Sequence, residues 1–198
     1  MAHEALHDHP VFAALLRHDL SEQSYFDAIE VFFHLFSGAE ERRMQSGLFG
    51  QFHLRRQTSA LRADIGCRRS ERPGSHFCIP DHHGAPFLLG VLYVCHGSGF
   101  GGNVIARRTS LFLPGVPAAF FGLPVRADTW RQMATEMEAF GRKEADRSHL
   151  LDGALYAFNW VTSFADRVAA GRGDPSRDLT MRRQTQEISD SHKPGVET

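Results

Sequence analysis

Four glycines fall within six residues in Gly97-Ser98-Gly99-Phe100-Gly101-Gly102, between the apolar run Phe87–Val94 and the helix-like stretch Asn103–Arg108. Each glycine inside a helix costs about 1 kcal/mol relative to alanine. Missing side chains at that density serve a kink or let a flat partner approach bare backbone. Histidines are the second group with chemistry. His3 and His7 are four apart and share a helical face, where such a pair can bind a metal. His82 and His83 are adjacent, but no Cys or acidic residue has diagnostic metal-ligand spacing beside them.

Several site chemistries fail on their surroundings. Glu-x-x-His occurs once, at Glu4–His7, whereas a carboxylate-bridged di-iron bundle needs two such pairs and a Glu from each of two further helices, so that site is not encoded. Ser98 lacks both the flanking pattern and the preceding strand of a nucleophile elbow. The glycines do not lead into the Lys-Ser/Thr of a phosphate loop. Gly97-x-Gly99-x-x-Gly102 matches a dinucleotide fingerprint only as a string, because no βαβ unit surrounds it. What remains is a flat ligand across a glycine-lined helix. An axial histidine from another helix would make that ligand haem, with apolar rings as walls and arginines for the propionates.

The elements that must position these residues read as helices, with few strand signals. A first helix is expected over Ala2–His7, breaking near Pro10, and a second over Val11–Arg17. Ser21 is an N-cap for a long helix with Tyr25, Ile29, Phe32, Phe33 and Phe36 on its core face. A weaker helix is expected over Gly47–Asp64 with Arg55, Arg56 and Arg62 outward, then irregular chain from Gly66 to His83. The glycine-rich helix spans Ala85–Thr109, and prolines 114, 117 and 124 mark a connection with one helical turn near Ala118–Phe121. Asp128 caps a helix to Glu144. Asp146 or Ser148 starts the last one, with Leu151, Leu155, Phe158, Val161, Ala165 and Val168 as its core stripe and Gly171 as its end. Residues 172–198 read as a polar tail outside the core.

Composition bounds the rest. The chain has 198 residues, 42% of them hydrophobic, enough for one core. A net charge of −1 argues against a nucleic-acid partner. The three cysteines, Cys67, Cys78 and Cys95, have no CxxC spacing, which fits a reducing cytoplasm. The first residues carry no signal-peptide pattern, and no unbroken apolar run reaches about 18 residues, so no membrane span is expected.

Two segments resemble one family. Leu92-Tyr93-Val94-Cys95-His96-Gly97-Ser98-Gly99-Phe100-Gly101-Gly102-Asn103-Val104-Ile105 resembles the distal-helix motif of bacterial biliverdin-producing haem oxygenases. Ala2-His3-Glu4-Ala5-Leu6-His7-Asp8-His9-Pro10-Val11-Phe12-Ala13-Ala14-Leu15-Leu16 is similar to their proximal segment, and the likeness extends loosely over residues 2–170. The resemblance implies an all-α, haem oxygenase-like multi-helix bundle over residues 1–171. It implies His3 as the iron ligand, with Gly97, Gly101 and Gly102 over the haem face. Ser98 stands where mammalian-type members carry an aspartate that organises distal water, so Ser98, Gly101 and Gly102 form the implied catalytic segment. Arg107, Arg108 and Arg167 are candidate propionate partners by position. The implied activity is cleavage of haem to biliverdin, CO and iron with O2 and electrons from an external donor such as a ferredoxin or reductase. A haem-binding or haem-sensing member without turnover has the same residues. A helical interaction protein would use the glycines for close packing and would have no use for His3.

Overall fold

The structure, a computed structural model, describes residues 6, 8–66 and 76–171. His3, His7, Cys67 and the 172–198 tail lie outside the described residues, as does most of the expected first helix. The described residues form helices and connections and contain no strand, as the periodicity predicts.

Pro10–Ala13 forms α1, and Ala14–Leu16 continues it as a 3-10 turn. Proline occupies the first helical turn, where its missing N–H has no partner to lose. His9 caps the helix: its Nδ1 accepts from the Val11 N–H at 3.2 Å, and its Nε2 lies 3.1 Å from Asp166 Oδ1.

Glu22–Ser46 forms α2. The Ser21 hydroxyl accepts from the Ser24 N–H at 3.1 Å, as the capping pattern predicts. Of the expected stripe, Tyr25, Ile29, Phe33 and Phe36 are buried, while Phe32 is half-buried and packs edge-on against Phe36 and Phe121. Burial also reaches Val31, Leu35, Ala39 and the charged Glu40 and Arg43, because helices pack on several sides of α2.

The expected helix over Gly47–Asp64 is replaced by a tight connection, a 3-10 turn at Gly50–Phe52, and α3 at Arg55–Ile65. Gly47 ends α2 in the left-handed region at φ +67°, and Phe49 is also left-handed at φ +52°. The Glu40 carboxylate fixes the restart. It accepts two hydrogen bonds from Arg43, at 2.8 and 2.9 Å, and a third from the Leu54 N–H at 2.8 Å. Arg55, Arg56 and Arg62 do face solvent.

Residues 76–84 are irregular, as expected, yet Phe77 and Ile79 are buried. The Tyr156 hydroxyl ties this segment to the last helix by donating to the Cys78 carbonyl at 2.6 Å.

The glycine-rich helix is interrupted: α4 covers Ala85–Gly97, a 3-10 turn covers Ser98–Gly101, and α5 covers Gly102–Phe112. The stretch Ala85–Phe112 is long and apolar enough, by length and composition, to cross a membrane. Its α4 half is buried within this fold, with Pro86–Leu92, Val94 and Cys95 all enclosed. Ala127–Gly141 forms α6 and Glu144–Ala170 forms α7. Asp128 lies inside the first turn of α6 and pairs with Arg131 instead of capping, and the cap position is Arg126. The sequence also places the α6–α7 boundary too late, since α7 already begins at Glu144. Residues 119–122 form hydrogen-bonded turns, including one helix-type bond from the Gly122 N–H to the Ala118 carbonyl at 3.0 Å, where the sequence suggests a single helical turn.

The contact between α4 and α7 is the most extensive in the fold. A Cβ at Gly90 would collide with the Leu150 carbonyl, and one at Gly153 with the Phe87 carbonyl. This reciprocal glycine contact changes the buried face of α7. Val161, Ala165 and Val168 are buried as predicted, but Leu151 and Leu155 are 55% and 48% exposed. Leu150, Gly153 and Ala157 take the inward positions in that half, because backbone-to-backbone approach decides the rotation there.

Candidate functional site

The 3-10 turn places the glycines in different environments. A Cβ at Gly102 would lie 2.7 Å from the Phe121 carbonyl oxygen and 3.4 Å from Phe121 Cα, so close packing accounts for this glycine. A Cβ at Gly99 would touch Val125 Cγ2 at 3.4 Å, and one at Gly97 would reach the Trp130 ring at 4.0 Å. Gly101 is exposed, and no atom of the described residues lies within 4 Å of its missing side chain. Packing therefore leaves Gly101 unexplained.

Gly101, at the N-cap of α5, and Val104, Arg108 and Leu111 on it follow at spacings of three and four. Val104 is 57% exposed and Leu111 is 72% exposed. Arg108 is half-buried. Its Nε and one terminal nitrogen are shielded from solvent and have no hydrogen-bond partner, while its guanidinium lies 5.3 Å from the Phe112 ring centre. Unpaired buried donors are costly, so a guanidinium held this way is poised for an anionic group. The Ala14–Leu16 turn packs against α5, and His18 meets the Phe112 ring edge-on at 6.2 Å. Nearer the N-terminus, Pro10–Ala13 and His9 pack on α7.

The other sequence candidates divide clearly. Arg107 is exposed. Arg167 is exposed on α7, with its guanidinium 5.1 Å from the Phe164 ring centre. The Ser98 hydroxyl donates to the Cys95 carbonyl at 2.8 Å. His83 stacks flat on Phe87 at 3.8 Å. Among the described residues no group of three His, Cys, Asp or Glu side chains is placed to hold a metal ion.

Behind the 3-10 turn, on the Ser98, Gly99 and Gly102 side, is a cavity of about 70 Å³. Trp130, Phe120, Phe121, His53, His96 and Arg56 also line it. It is far too small for a porphyrin. The Gly101 side presents bare backbone, two exposed aliphatic side chains and a guanidinium with two nitrogens that lack hydrogen-bond partners.

One buried carboxylate builds the wall against Gly102. Asp64 Oδ1 accepts from the Ala119 N–H, and Oδ2 from the Phe120 N–H, both at 2.8 Å. The Tyr25 hydroxyl donates to the Pro117 carbonyl at 2.8 Å and holds the approach to the same turn. Burial pushes the Asp64 carboxyl above its ordinary range against the pull of those two N–H groups, and burial raises the Tyr25 phenol strongly. Asp64, Trp130 and His53 carry no sequence signal, since each acts through partners distant in the chain.

Comparison of this chain with protein-family models, with curated proteins and with solved structures finds no match.

Proposed function

We propose that this chain binds haem against the Gly101 face of α5 and cleaves it to biliverdin, CO and iron, with O2 and electrons from an external donor. The observation that carries the reading is the stripe of Gly101, Val104 and Arg108. It combines an open glycine that packing does not require, an exposed apolar neighbour and a guanidinium without a hydrogen-bond partner.

In this reading a neutral His3 imidazole holds the iron from the N-terminal segment. Gly101 lets the α5 backbone approach the ring, and Val104 and Leu111 keep water from its edge. Arg108 meets a propionate, and Arg107, which faces solvent, serves at most the outer rim. Ser98 holds the end of α4 in place through the Cys95 carbonyl. Bound haem supplies the iron and the oxidisable macrocycle, and the protein supplies orientation and exclusion of water.

The test is a haem titration of the purified protein followed by absorbance. A saturable, His-type Soret band that changes in His3→Ala supports the binding half of the reading. Absence of any spectral change on adding haem overturns it. Ferredoxin and its reductase under O2 should then yield biliverdin absorbance. A Soret band that persists under those conditions overturns the cleavage step and leaves a haem-binding protein without turnover.

A further inference from the structure

We infer that the cavity behind the glycine turn is a binding site for a small oxyanion, a carboxylate or phosphate, closed on one side by Trp130. The inference is independent of the haem reading, because Gly101 does not line the cavity.

Size limits the ligand. A space of about 70 Å³ holds roughly five waters. That suits an anion of a few non-hydrogen atoms and excludes nucleotides.

Charge selects its sign. Arg56 from α3 and Arg126 from the entry to α6 line the cavity and are both exposed, so they sit at its solvent edge. The half-buried His53, His96 and Ser98 also line it, and among the described residues no Asp or Glu does. The nearest carboxylate influence on the two histidines is Glu40, whose oxygens are already taken by Arg43 and the Leu54 N–H.

Unsatisfied polarity points the same way. His53 Nδ1 is shielded from solvent and has no hydrogen-bond partner in the fold. A buried polar atom left alone costs about 1–3 kcal/mol, which a bound acceptor or donor recovers. His96 Nε2 donates to the Phe52 carbonyl at 3.1 Å and the Ser98 hydroxyl donates to the Cys95 carbonyl, so recognition of the anion falls to Arg56, Arg126 and His53. The first turn of α6, which also contributes to the wall, has no side-chain cap on its N–H groups.

The aromatic side is rigid. Trp130 is wedged between Tyr93 at 5.4 Å and Phe100 at 4.9 Å, ring centre to ring centre. Its indole reports directly on occupancy. The only other tryptophan, Trp160, is on α7 and stacks on Phe164.

The experiment uses the full chain without haem, in a Trp160→Phe background so that Trp130 is the sole fluorophore. Sodium phosphate and sodium acetate are titrated separately at constant ionic strength against chloride, following Trp130 emission and the thermal midpoint. A saturable emission change and a rise in midpoint with one of the two anions are expected, and the arm that responds identifies phosphate or carboxylate. Arg56→Gln combined with Arg126→Gln should weaken binding by about tenfold or more while leaving the anion-free midpoint close to the parent, since both side chains are exposed. No saturable response to either anion, or equal binding by the double variant, overturns the proposal. Because haem is absent throughout, neither result bears on the Soret titration.

Discussion

Gly102 lies directly beneath the carbonyl of Phe121, at a separation that a β-carbon would reduce to 2.7 Å. Gly101, its neighbour, meets none of the described residues within 4 Å of where its side chain would lie. Two adjacent glycines in one motif therefore answer to different constraints, one to packing and the other to an open face.

That difference gives a paired prediction. Gly102→Ala should destabilise the protein by about 1–3 kcal/mol, because the clash is with backbone that cannot rotate away. Gly101→Ala should stay within about 1 kcal/mol of the parent, since there is space and the position precedes α5. In the haem titration Gly101→Ala should nevertheless weaken binding. Denaturant melts and Soret titrations on both variants check this. A Gly101→Ala protein that binds haem like the parent removes the stripe from the argument.

Asp64→Asn should cost about 1–3 kcal/mol in chemical denaturation. An amide offers one acceptor oxygen where two backbone N–H groups, of Ala119 and Phe120, now each have their own. It should also loosen the turn that presses on Gly102. The penalty of Gly102→Ala should therefore shrink in the Asp64→Asn background, and strict additivity would show that the turn is held elsewhere.

Stability should fall in two stages on acidification. Burial depresses the His96 imidazole below its ordinary value of 6.5, so the folded state holds His96 neutral while the unfolded chain takes up a proton. Its contribution is complete above pH 6.5 and is lost as pH falls below it. Glu40 follows. Burial pushes its carboxyl up, but Arg43 and the Leu54 N–H outweigh burial and bring it below 4.5, so its contribution persists to lower pH and then disappears. Denaturation midpoints measured across pH 3–8 should show the first stage reduced in His96→Gln and the second retained.

Gly90→Ala and Gly153→Ala should each destabilise by about 3 kcal/mol or more, the upper range of overpacking, since each new methyl would meet a main-chain carbonyl of the opposing helix. Circular dichroism melts check this. A melt like the parent's for either variant would mean that α4 and α7 do not cross this closely.

Much of the helical order was legible because local chemistry sets it. Ser21 capped α2 as its hydroxyl predicts, and Val161, Ala165 and Val168 faced inward at helical spacing. The failures share a cause. Leu151 and Leu155 read as core, yet a glycine in each of two distant helices turns that face outward. The span from Gly47 to Leu54 read as helix, yet a carboxylate at position 40 holds it as a turn. The site divided the same way. Its glycines stood out as a cluster, whereas nothing local to Asp64 announces that it holds a turn 55 residues away.

The 3-10 turn at Ser98–Gly101 has one further consequence. Ser98 and Gly99 line the cavity, while Gly101 faces the open side. A ligand that shifts this turn from one side alters affinity on the other, and thermodynamic linkage makes the factor identical in both directions. If both proposed ligands bind, the turn is a coupler as well as a wall, and anion concentration would set how tightly the opposite face holds its partner.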